Sequence, residues 1–123
     1  MKFFAFLFIS LFLLSTCSTT QYNEVQREDC QDLNWQQLGE IESSKGLSQE
    51  MLDYHIRRCP PEIESAARSL YLKGYQQGIP NYCTYQTGFI KGDVGDPIPM
   101  ICEDPNFSDF HKGYREGIRV SHK

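Results

Sequence analysis

The stretch Tyr71-Leu-Lys-Gly74-Tyr75-Gln-Gln-Gly78-Ile79 returns later in the chain as Phe110-His-Lys-Gly113-Tyr114-Arg-Glu-Gly117-Ile118. A third version, Tyr85-Gln-Thr-Gly88-Phe89-Ile-Lys-Gly92, lies between them. Each reads aromatic-x-x-Gly-aromatic-x-x-Gly. Glycine costs about 1 kcal/mol against alanine inside a helix, so six of them in this phase imply a compensating gain. Four residues apart on a helix, two glycines form a flat strip on which another backbone or a ring can lie. The aromatic residue three before each glycine sits on an adjacent part of the same face. The echo predicts short helices that interlock ring against glycine. Rings at helical spacing read as core, because a domain this small needs its large side chains to build one. Tyr22, Tyr54 and Tyr82 fall outside the echo and are the candidates for surface contact.

The neighbouring segments extend this reading. Asp32 to Ser44 predicts a first helix with Trp35, Leu38 and Ile41 inward, broken by Gly46. Ser48 then caps a second helix to about Arg58, which presents Met51, Leu52, His55 and Cys59 on one side. Pro60-Pro61 ends it and opens the next. That third helix places Ile63, Ala66, Ala67, Leu70, Tyr71, Gly74 and Gly78 on one face and stops before Pro80. The span from Gly92 to Pro105, rich in Gly, Pro and Asp, reads as a loop. A last helix carries Phe107, Phe110, Tyr114 and Ile118. Alternating apolar and polar residues are nearly absent. The expected fold is all-α: a compact bundle of four or five short helices over residues 30–123.

The cysteines constrain the same region. Cys30, Cys59, Cys83 and Cys102 form an even set with no CxxC pair of the kind zinc knuckles use, so they read as two disulfides. Three pairings are open. The sequential one, Cys30 with Cys59 and Cys83 with Cys102, is preferred because each bridge would clip one local unit. Loops of those lengths would add roughly 3–4 kcal/mol each.

The fifth cysteine belongs to a different signal. Lys2 is followed by an apolar run from Phe3 to Leu14 and then Leu14-Ser15-Thr16-Cys17. A positive start, a short apolar stretch and small residues at its end mark export. The run is well short of the roughly 20 residues a spanning helix needs. Leu-small-small-Cys resembles the lipobox of bacterial lipoproteins. The resemblance implies that residues 1–16 are removed, that Cys17 carries the lipid, and that residues 17–29 are a tether. Ser18, in place of Asp, implies sorting to the outer membrane, facing the periplasm. The alternative is ordinary secretion as a free disulfide-rich protein.

Without residues 1–16 the chain keeps 11 basic and 16 acidic side chains, a balance of −5. No basic stripe offers itself to nucleic acid or to a polybasic membrane contact. His55 lies on the apolar side of the second helix and reads as a core histidine rather than a base or ligand. His111 and His122 make no i,i+4 metal pair, and no HExxH occurs. Asp93, Asp96, Glu103 and Asp104 lack the alternating spacing of a calcium loop and read as a solvated acidic loop. There is no Gly-x-Ser-x-Gly elbow. No catalytic residue, metal or cofactor is expected. The competing reading is a small metal-dependent hydrolase using His55 or His111.

Several features together resemble the bacterial lipoproteins grouped as domain of unknown function 2799. They are Trp35-x-x-x-Gly39-x-x-x-Ser43-x-x-Gly46 after Cys30, His55-x-x-x-Cys59, and Tyr71-x-x-Gly74-x-x-x-Gly78. Tyr82-Cys83, the Gly88/Gly92 pair, Cys102 and the closing aromatic-x-x-Gly-Tyr-x-x-Gly complete the set. Ser43 and Glu103 stand where the family tends to have Gly and Pro. The resemblance implies an envelope lipoprotein and brings no activity with it. The expected function is a membrane-anchored, noncatalytic module that engages an envelope protein or peptidoglycan.

Overall fold

The computed structural model describes residues 30–123. The signal, the lipobox with Cys17, the tether and Tyr22 lie outside the described residues. Five helices follow in order: α1 (Trp35–Ser44), α2 (Met51–Ile56), α3 (Glu64–Tyr82), α4 (Tyr85–Val94) and α5 (Ser108–Ser121). Short 3₁₀ turns at Pro61–Ile63 and Met100–Cys102 precede α3 and lie in the link to α5. Among the described residues there is no strand. The expected all-α bundle with two staples is the observed one.

Capping explains where α1 and α4 begin and end. Asn34 Oδ1 accepts the backbone N–H of Gln37 at 3.0 Å, and Thr84 Oγ1 accepts that of Thr87 at 3.2 Å. Both helices close on a left-handed glycine, Gly46 at φ +75° and Gly95 at φ +77°. The next residue's N–H reaches back five positions in each case: Leu47 to the Glu42 carbonyl at 3.0 Å, Asp96 to the Lys91 carbonyl at 2.9 Å.

The helices associate as two close pairs, α1 with α3 and α4 with α5. Each pair runs parallel. Gly74 faces Gln36 and Gly78 faces Glu40 and Ser43, so position rises together along α1 and α3. Gly88 faces Phe110 and Tyr114, and Gly92 faces Tyr114 and Ile118, in the same sense. Every one of these seams is built on small residues. A Cβ placed on Gly39 would overlap the Tyr71 carbonyl oxygen, and one on Gly113 the Tyr85 carbonyl oxygen. These are backbone atoms, which cannot swing aside. The glycine hydrogens standing there point at the opposite carbonyls, a recurring weak contact between close helices.

The rings therefore do not lie on the glycine strips as the echo predicts; backbone does. The rings stack along their own helices beside each seam, Tyr71 on Tyr75 at 5.9 Å and Phe110 on Tyr114 at 6.4 Å between centroids. A narrow seam also corrects the predicted inward faces. Ile41 is 42 % and Leu70 45 % exposed, and Ala66 is exposed too, because each flanks the strip instead of lying in it. Tyr75 and Ile79 are buried in their place.

A further correction concerns Pro80, which sits inside α3. It stands in the last turn, where its missing N–H costs a single bond, and both Pro80 and Gln76, four residues before it, are exposed. The helix ends two residues later at Tyr82, with Cys83 as its cap.

The disulfides are Cys30–Cys59 and Cys83–Cys102, the sequential pairing. Each joins the segment before the first helix of a pair to the segment before the second. Both pairs are thus clipped at their N-terminal ends. Trp35 is buried and donates its indole N–H to the Cys30 carbonyl at 3.0 Å.

Candidate functional site

Three helices each send one polar side chain to the same buried point. Glu42 comes from the last turn of α1, Ser43 beside it resting on Gly78. The Gly46 turn then redirects the chain so that α2 lies across the pair and presents His55 inward. Tyr71 comes from the middle of α3. His55 Nε2 donates to Glu42 Oε1 at 2.7 Å, and the Tyr71 hydroxyl donates to Glu42 Oε2 at 2.5 Å. All three are fully buried, at 0 % exposure. A carboxylate this deep persists only when donors hold it, and here one donor comes from each neighbouring helix. The chemistry of the cluster follows from its position. At 0 % exposure the three side chains tie α2 to α1 and α3 from inside the fold.

Tyr75 continues this polar line toward the surface. Its ring is buried, and its hydroxyl donates to the Leu47 carbonyl at 2.6 Å. Burial, and secondarily the negative charge of Glu42, push its phenol above the ordinary value of 10.0. Tyr114 makes the matching bond in the second pair, to the Asp96 carbonyl at 2.8 Å.

The other candidates are scattered. His111 is half-buried, its Nε2 donating to the Asp104 carbonyl at 3.1 Å beside a shallow cleft shared with Arg115. His122 is exposed past the end of α5. In the acidic loop, Asp96 pairs with Lys91 at 2.7 Å and holds that ammonium above its usual range. Asp104 caps the N–H of Asn106 at 2.8 Å. Among the described residues no three His, Cys, Asp or Glu side chains converge as metal ligands. Tyr54 is at the surface, its ring under the Arg58 guanidinium at 4.6 Å, whereas Tyr82 is half-buried against the core. Glu42 is the residue that sequence reading missed. Helical charges are assigned outward by default, and the one signal for it is its place beside Ser43 on the Gly39/Ser43 strip.

A separate concavity lies away from this cluster. A groove of about 740 Å³ runs between the segment after α1, the C-terminal turns of α3 and the 3₁₀ turn held by Cys102. Tyr75 and Ile79 form its floor, and Met100, 84 % exposed, stands at its edge.

The family described as protein of unknown function (DUF2799) matches residues 34–119, which span both helix pairs. The chain belongs to this family. The match takes in every seam glycine as well as Glu42, His55 and Tyr71, so the family segment and the twice-built frame coincide. No curated protein and no solved structure matches the chain.

Proposed function

We propose that this family member is a bacterial envelope lipoprotein, anchored through lipid on Cys17 at the outer membrane and facing the periplasm. Its domain, residues 30–123, acts as a noncatalytic module that engages a protein or peptidoglycan partner. The observation that carries the reading is the pairing of two disulfides with a buried polar cluster. Disulfides of this kind belong to oxidising compartments. The one histidine held by a carboxylate is spent on internal structure, which removes the main support for a hydrolase built on His55. The lipobox-like Leu14-Ser15-Thr16-Cys17 supplies the anchor. No helix of the described residues is long and apolar enough to cross a membrane.

Intact mass of protein purified from membranes, before and after reduction, tests the anchor and the bridges together. The expected species begins at Cys17, is heavier by its acyl chains, and gains two hydrogens per disulfide on reduction. An unacylated species cut near Cys17 would replace the reading with a freely secreted protein.

A further inference from the structure

The groove between α3 and the Met100–Cys102 turn has a composition that specifies an occupant. Its walls are apolar and stiff: Ile79 and Pro80 on α3, Pro99 and Ile101 opposite. The disulfide from Cys102 to Cys83, the cap of α3, pins the second wall to the first. Met100 stands 84 % exposed on that pinned turn. A long thioether side chain adapts its shape to different apolar partners, and such residues are favoured at binding surfaces. A methionine held out in water on a fixed turn gains nothing for folding.

Two further sets of lining residues define what the occupant must offer. Glu50 and Asp104 contribute carboxylates, and no basic side chain lines the groove. Gln49 and Gln76 contribute side-chain amides, neither of them engaged in a hydrogen bond among the described residues. A primary amide offers both a donor and an acceptor, the complement of a peptide group. We propose that this groove binds an extended peptide segment of a partner protein, apolar at its centre and flanked by lysine or arginine. This rests on the reading of the domain as a binding module and names the kind of partner that module takes.

The probe is a pair of fluorescein-labelled octapeptides, leucine-rich at the centre and flanked by lysines in one and by glutamates in the other. They are titrated by anisotropy against the membrane-purified protein in nanodiscs of zwitterionic lipid, with empty discs subtracted. The lysine-flanked peptide binds about tenfold more tightly at low salt, and the preference shrinks at high salt as exposed charges are screened. Met100→Ser, at an exposed position that leaves the fold intact, weakens binding by about fivefold. Glu50→Gln reduces the preference between the two peptides. Equal binding of the two peptides, binding of neither, or an affinity indifferent to Met100→Ser overturns the proposal. Photo-crosslinkers placed at Met100 and at Val94 in the intact envelope separate this failure from a wider one. Products from Val94 alone discard the groove and leave the binding-module reading standing. Products from neither discard both. Products at Met100 that the lysine-flanked peptide competes away support the groove.

Discussion

The pair α1/α3 and the pair α4/α5 are the same device with different fillings. Gly39 and Ser43 correspond to Gly88 and Gly92, Gly46 to Gly95, and Gly74 and Gly78 to Gly113 and Gly117. Tyr75 and Tyr114 each donate to the residue after the left-handed glycine. Two of the differences between the pairs bear on buried charge. Where the first has buried Glu42, the second has Lys91, 29 % exposed and bonded to Asp96 at the surface. Where the first has Tyr71, the second has Phe110, equally buried. The reason lies in the links. The first link contains α2, a helix that must be docked, and His55 docks it on Glu42. The second contains only a 3₁₀ turn, and an apolar ring suffices. A buried charge is found where it orients an extra element, and is absent where there is none to orient.

The sharpest way to test that contrast is to truncate the corresponding residues. Glu42→Ala strands His55 and Tyr71 without their carboxylate and should cost about 4 kcal/mol, read from urea unfolding. Lys91→Ala removes a partly exposed pair and should cost under about 1 kcal/mol. Similar losses at both sites would break the distinction between the pairs. The frame itself is tested next. Gly74→Ala and Gly113→Ala each drive a methyl into an opposing backbone carbonyl. Each should lose about 3 kcal/mol even after the gain in helix propensity. Gly95→Ala meets open space and should lose only about 1 kcal/mol, from its positive φ. A mild Gly113→Ala beside a severe Gly74→Ala would show that the second pair is not closed in the same way.

Exchanging the rings sharpens the comparison further. Tyr71→Phe removes a hydrogen bond to a buried carboxylate, and Phe110→Tyr buries a hydroxyl where no such acceptor waits. Each should cost about 2 kcal/mol by thermal melting, in opposite chemical directions. The smallest effect is alkaline. Burial, then Glu42, raise the Tyr75 phenol above 10.0, so its contribution is intact below that value and fades as pH rises through the folded-state value. Melting temperature should fall above about pH 10 in the natural chain, and fall less steeply in Tyr75→Phe.

Much of this frame was legible because glycine announces itself. A residue that weakens helices, repeated at helical spacing, marks a seam too close for any side chain. The echo located α3, α4 and α5 directly. It did not reach α1, whose strip carries Gln36 and Glu40 at the aromatic positions and Ser43 at the second glycine. Ile41 and Leu70 misled for a related reason. Apolar periodicity assumes a broad buried face, whereas a glycine seam is narrow and leaves its apolar flanks in water. The polar cluster was half visible: His55 reads as interior from its neighbours, but its partner is a glutamate thirteen residues away on another helix. Only its place beside Ser43 on the Gly39/Ser43 strip sets that glutamate apart from a solvated one.

Parallel helices cannot be joined by a tight turn, so each pair in this chain requires a crossover, and each crossover ends at a cysteine. The first ring, Cys30 to Cys59, is complete before any of α3 has been synthesised, and the second, Cys83 to Cys102, before any of α5. With Cys17 occupied by lipid, as proposed above, a chain whose remaining thiols are oxidised in the order in which they emerge reaches its native bridges at the first attempt.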